Sequence, residues 1–291
     1  MSAGVLFDAP GPKARARNRI LSGIGILLML VVAAAIVWKL DSKHQFTGAK
    51  WEPFIHGTLW RSYLLPGLWG TIKAALISIA LASVLGVLLA LARMSSVRVL
   101  NWFCTVWVEV FRAIPVLLMM IFSFGLYAYN NVFPSSMNAL AGTVTGLTLY
   151  NSAVICEILR SGVDQVPGGQ REAGLSIGLR PQQTLRSIML PQAITSMLPT
   201  LVSQLVVILK DTALGYNITY MELLNSGSTS ASTYSNMLPI VIVVALIYIV
   251  VNYSITKVAE MLEHRMRRRS SAPPAAAGGL AGAEPQKVPA T

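Results

Sequence analysis

The chain has 291 residues, of which 54% are hydrophobic and 12% charged, and its mean hydropathy is +0.60. That balance excludes a soluble globular domain and marks a membrane protein. The net charge of +11 does not argue for nucleic acid, because the basic residues cluster beside apolar runs in the pattern that orients membrane helices.

A basic arm over residues 1–19, with Lys13, Arg15, Arg17 and Arg19, precedes an apolar run at 20–38. Ala33 to Ala35 offer small residues for signal cleavage, but the run is longer than an ordinary signal core and reads as a transmembrane helix. Residues 39–64 form an external loop in which Lys39, Lys43, Lys50 and Arg61 are diluted by acids and histidines. Further apolar windows follow at 74–92, 113–132, 135–156, 187–209 and 238–256, each about long enough to cross a bilayer. Six spans are therefore expected, the fifth interrupted by Pro191 and Pro199. Arg93 and Arg98, and again Arg160, Arg171, Arg180 and Arg186, mark two loops as cytoplasmic, whereas 130–138 and 225–236 carry no Lys or Arg and read as external. Both termini are then cytoplasmic. Cys104 and Cys156 lie in apolar surroundings without metal spacing, and His44, His56 and His264 are scattered. Residues 265–291 begin with Arg265, Arg267, Arg268 and Arg269 and pass after Ser270 into an Ala/Pro/Gly tail whose composition predicts disorder.

One stretch departs from this pattern: REAGLSIGLRPQQTLRSIMLPQA at 171–193. It reads as two short helices. Gly168 and Gly169 open the first, Glu172 suits the positive end of its dipole, and Gly178 ends it. Pro181 starts the second and Pro191 closes it. The small residues Ala173, Gly174 and Gly178 beside Leu175, Ile177 and Leu179 suggest close approach by a partner groove. Taken physically, the stretch fits an interfacial helix resting on lipid equally well. A DNA-reading helix-turn-helix does not fit, since small residues occupy the face that would read bases.

The pattern Glu172-Ala173-Gly174, then Gly178, then Ile188, Leu190 and Pro191 resembles the EAA motif of permease subunits of binding-protein-dependent ABC importers. The similarity continues through 108–118, 149–179 and 209–224, where the chain is similar to the polar amino-acid branch and most similar to actinobacterial glutamate permeases. The resemblance implies an all-α type I importer fold over 65–264, a five-helix core with the extra N-terminal helix outside it. It implies a coupling helix near 170–190 whose Glu172, Ala173, Gly174, Gly178, Leu190 and Pro191 dock into a separate ATP-hydrolysing subunit. Gly174 stands where that family prefers a second alanine. Further implied partners are an ABC ATPase dimer, a second permease completing the pore as a heterodimer or homodimer, and an extracytoplasmic amino-acid-binding protein. The uncharged run 225–236 is a candidate landing place for the last of these, or simply a flexible loop.

No G-x-x-x-x-G-K-[ST] loop occurs in the chain, so ATP and Mg are expected on the partner, with no cofactor on this subunit. For the solute path, ionisable groups at membrane depth are the candidates. Arg112 and Pro115 start the third span, and Glu157 and Arg160 stand three apart near the end of the fourth. Lys210 and Asp211 end the fifth, followed by Thr212 in a Lys-Asp-Thr run of the kind the resembled family has there. Asn151 and Ser152 lie within the fourth run and serve either the path or helix contact. An acidic amino acid would need cationic or amide partners, for which Arg112, Lys210 and Asn151 are candidates. Two rival readings remain at this level: an ion-gradient-driven secondary transporter, although no internal repeat is visible, and a non-transporting scaffold or sensor subunit.

Overall fold

The computed structural model describes residues 11–270. The first ten residues of the basic arm and the Ala/Pro/Gly tail lie outside them. Every regular element among the described residues is helical. Two compact units divide the chain, one containing 11–67 and 223–245, the other 68–222 and the remainder from 246.

In the first unit, α1 (Pro12–Ser42) buries none of its residues. Short helical turns cover 48–64. The helix α9 (Leu223–Tyr234) packs on them: Tyr63 and Tyr234 meet edge to face at 6.4 Å, and Asn236 donates to the Lys50 carbonyl at 3.0 Å. The run at 225–236, expected as a loop, is thus mostly helical. Its Ser and Thr hydroxyls bond carbonyls four residues back, at Thr229, Ser232 and Thr233, and Gly227 lets Val244 and Ile240 approach. Packing overrides the weak helix propensity of these residues.

The second unit contains α2 (Leu65–Arg93, from Leu68 onward), α3 (Arg98–Ala113), α4 (Val116–Tyr129), α5 (Ser135–Asp164), α6 (Gly168–Ser176), α7 (Pro181–Thr184) and α8 (Leu190–Asp211). It also takes most of α10 (Met237–Ser270). The helix α5 forms its centre, burying fourteen residues that include Gly142, Gly146, Asn151 and Ser152. A Cβ on Gly146 would stand 2.8 Å from the Met120 nitrogen, so the missing side chain is what lets α4 lie against α5.

Among the described residues five helices are long and apolar enough to cross a membrane, and α3 with α4 make a sixth candidate bent by 100°. The expected third span, 113–132, is therefore only α4, and Arg112 and Pro115 sit at a sharp corner instead of at the head of a straight helix. Pro115 lacks the N–H that would continue α3 and biases Ile114 to extended backbone, φ −84° and ψ 128°. The fifth span also differs. Pro191 does not close a helix: α7 runs through a π-helical turn (Leu185–Met189) straight into α8, and the wide turn just before Pro191 accommodates its missing donor. From Pro181 to Ile218 the chain is one apolar rod of 38 residues.

Candidate functional site

Three polar regions stand out among the described residues, two of them on this rod. At its beginning is the elbow of α6 and α7. Gly178 has φ +86°, its N–H donates to the Leu175 carbonyl at 3.0 Å, and the Leu179 N–H donates to Gly174 at 3.2 Å. This paired closure of a helix end needs a left-handed residue, hence glycine. Glu172 is the fifth residue of α6, not part of its first turn as the sequence suggested, because the helix already starts at Gly168. Gly174 faces inward, where a Cβ would stand 2.7 Å from Thr184 Cγ2 and 3.0 Å from Ile188 Cδ1. Its small size therefore serves close packing against α7 and the π-turn. What the elbow leaves open is Glu172, Ala173, Leu175 and Ile177, the last 75% exposed, while Leu190 is buried and Pro191 exposed.

The second region is an ion cluster where α2, α3 and α5 meet. Glu157 binds Arg93 through one oxygen and accepts from Arg160 at 2.6 and 3.0 Å through the other. Arg112 lies 3.9 Å from it, Arg93 also reaches Glu109 at 3.2 Å, and Arg160 reaches Asp164 at 2.8 Å. The i, i+3 pair seen in the sequence is thus one edge of a three-helix network. Arg93 was missed there because it ends an apolar run and reads as a mere topology marker.

The third region is a cavity of about 460 Å³ at the α3–α4 corner. Arg112 and Pro115 line it from the corner, Tyr150 from α5, and Gln204, Val207 and Asp211 from α8. Gln204 donates to the Asn151 Oδ1 at 2.6 Å, and the Asn151 amide donates to the Leu147 carbonyl at 2.8 Å. Asn151 is fully buried and acts behind the wall, holding Gln204. Gln204 itself went unnoticed in the sequence, although a lone amide in LVSQLVVIL was the available signal. Ser152 is also fully buried, bonds the Leu149 carbonyl at 3.0 Å, and has its backbone close to Gly86 of α2. Lys210 does not join this cavity. It lines another of about 440 Å³ with Tyr248 and Asn252 of α10. Thr212 is buried, its hydroxyl donating to Leu209 at 2.6 Å, near the fully buried Glu222, which accepts from the Tyr248 hydroxyl at 2.7 Å.

Residues 82–268 match the family of inner membrane components of binding-protein-dependent transport systems. The chain belongs to that family. Among relatives of this permease family, the glutamate transport system permease protein GluD of Corynebacterium glutamicum is 51% identical over 228 residues, covering 78% of this chain and 84% of its own. The probable glutamine ABC transporter permease GlnP of Bacillus subtilis is 36% identical, covering 70% and 94%. Among solved structures, an amino acid ABC transporter with histidines superposes with a TM-score of 0.64 at 26% identity, over 71% of this chain and 95% of that one. An inward-facing MetNI methionine transporter gives 0.58 over 71% and 97%; at 19% identity it shows the fold alone. The chain is accordingly a multi-pass membrane permease subunit and a transport component.

Proposed function

We propose that this chain is one of the pore subunits of an ATP-driven importer for acidic amino acids, glutamate first among them. The identity of 51% to a glutamate permease over most of both chains carries the solute class. The corner cavity supports it chemically, since a zwitterion with an extra carboxylate needs a cation, an anion and an amide, and Arg112, Asp211 and Gln204 face one space. That space, about 460 Å³, falls within the range of ordinary small-molecule sites, roughly 300–1,000 Å³.

Coupling follows from the rod. ATP closes two partner ATPase subunits, which grip the exposed face of the elbow at Glu172, Ala173, Leu175 and Ile177, with Gly178 fixing its exit. The second helix of the elbow is the first turn of the rod, whose α-helical part ends at Asp211. A push at Pro181 therefore reaches the cavity wall through about 45 Å of helix at 1.5 Å per residue. The path stays helical throughout, across the π-turn at Leu185–Met189 and past Pro199, and a rigid-body transition requires that continuity. The ion cluster at Glu157 ties α2, α3 and α5 together and supplies the frame against which the rod moves.

In this reading both termini are cytoplasmic and the elbow faces the cytoplasm of a bacterial cell. Residues 65–264 form the permease domain, a second related permease completes the pore, and an external amino-acid-binding protein delivers the solute. ATP and Mg belong to the partner. Reconstitution of the chain with its ATPase, companion permease and binding protein tests the assignment by uptake of glutamate, aspartate, glutamine and arginine with and without ATP. Preference for acidic solutes is expected; uptake of arginine alone, or uptake driven by an ion gradient without ATPase, would overturn it.

A further inference from the structure

The helix α3 carries its apolar face outward. Val99, Trp102, Phe103, Val106 and Val110 are all more than two-fifths exposed and recur at the spacing of one helical side. Asn101, Thr105 and Glu109 follow at four-residue steps along another side. The side opposite the apolar face packs on protein through the buried Cys104 and Val108, and along its border Asn101 donates to the Arg93 carbonyl and Arg93 donates to Glu109 at 3.2 Å.

Those two contacts tie α3 to the end of α2. Asn101 and Glu109 lie about 12 Å apart along a helix, yet both reach the last residue of α2. The Arg93 carbonyl holds the start of α3 and the tip of the Arg93 side chain reaches Glu109 two turns on, so the end of α2 is tied to α3 at both points. The helix α3 then turns by 100° into α4. The helix α4 has 14 residues, or about 21 Å, roughly 9 Å short of a hydrocarbon core of about 30 Å. Interfacial helices sink roughly 5–10 Å into the boundary between headgroups and chains, which makes up that difference.

We propose that α3 is not a spanning segment but a membrane-parallel helix embedded in the leaflet interface at the Arg93 end of α2, its outward face covered by lipid. The apolar stripe continues into exposed Leu118, Ile121 and Phe122 of α4, an outward surface that acyl chains would cover in the same way. Trp102 has the side chain favoured at that depth. Arg98, exposed at the first residue of α3, stands where lipid phosphates would meet it. Lipid thereby holds the helix whose far end presents Arg112 to the corner cavity.

The test places nitroxides at Trp102→Cys, Val106→Cys and Val110→Cys, one at a time, in a full-length Cys104→Ala, Cys156→Ala background in proteoliposomes. Depth is read from oxygen against nickel-chelate accessibility. The proposal expects all three labels to be oxygen-accessible and at one depth, within about one helical turn, 5.4 Å. A steady change of about 12 Å from 102 to 110 would mean that α3 spans. Labels shielded from both reagents would mean that a protein chain, such as a second permease, covers the stripe. If the cysteine background does not fold, quenching by brominated lipids of the native chain against Trp102→Phe decides the same point. Loss of a strongly quenched component in the variant is expected, and no difference would overturn the assignment.

Discussion

Lys210 and Asp211 are neighbours in the chain, yet they line different cavities: Lys210 stands with Tyr248 and Asn252, Asp211 with Arg112 and Gln204. Successive residues on a helix point about 100° apart, so the end of one rod addresses two spaces. Only one of them holds opposite charges. Asp211→Asn is expected to lower ATP-driven glutamate uptake by roughly 10- to 100-fold, the equivalent of one charge-assisted hydrogen bond of about 1.5–3 kcal/mol. Lys210→Gln is expected to cost less. Initial rates in proteoliposomes containing equal amounts of assembled complex distinguish them, and equal losses would contradict the division.

Glu157 serves three guanidinium groups at once, with Arg93 only 11% exposed in its side chain. Glu157→Gln leaves the partly buried Arg93 with only the exposed Glu109 as a carboxylate partner, which is expected to destabilise the protein by about 1–3 kcal/mol. Asp164, 61% exposed, belongs to the class of surface pairs worth less than about 1 kcal/mol. Thermal unfolding in detergent should therefore fall clearly for Glu157→Gln and barely for Asp164→Asn.

Much of this architecture was legible in the sequence because bilayer length imposes long apolar windows, and five of them became long helices. The helix α3 was not, since Glu109 and Arg112 break the apolar window that a spanning segment requires. Its amphipathic spacing was the overlooked signal. The helix at 223–234 was hidden for the opposite reason: Ser, Thr, Gly and Asn read as loop, and their helicity depends on hydroxyls returning to the backbone and on Gly227 meeting α10. Pro191 was read as a stop because a π-turn that absorbs a proline has no recognisable signature. Arg112 and Asp211 were found as costly charges, but their sharing of one cavity depends on the corner at Pro115.

Glycines in the elbow make a graded series. A Cβ on Gly169 meets nothing within 4 Å, whereas one on Gly174 meets Thr184 at 2.7 Å. Gly169→Ala should leave transport unchanged, and Gly174→Ala should push α6 from α7 and reduce uptake while leaving the elbow helical. Gly178→Ala meets no atoms but must hold φ +86°, a conformation that costs about 1–2 kcal/mol for a residue with a side chain. Uptake rates across the three variants should fall in the order Gly169→Ala, then the other two; a defect in Gly169→Ala alone would refute the geometry.

Gly146 tests the core in the same way. Its Cβ would meet Met120 Cγ at 2.6 Å and the Met120 backbone nitrogen at 2.8 Å, and backbone cannot rotate aside. Overpacking of this kind costs about 1–3 kcal/mol. Gly146→Ala should lower the thermal transition in detergent, while Gly125→Ala, with open space around it, should not.

The most direct measurement of the coupling account compares glutamate uptake and ATP hydrolysis in one reconstituted preparation carrying Glu172→Lys or Gly178→Leu. The elbow-and-rod mechanism predicts that uptake collapses in both variants while the chain still inserts, with hydrolysis losing its response to the loaded binding protein. Wild-type rates of ATP-driven uptake in correctly inserted variants would show that force does not pass through this elbow, and the mechanism would be wrong.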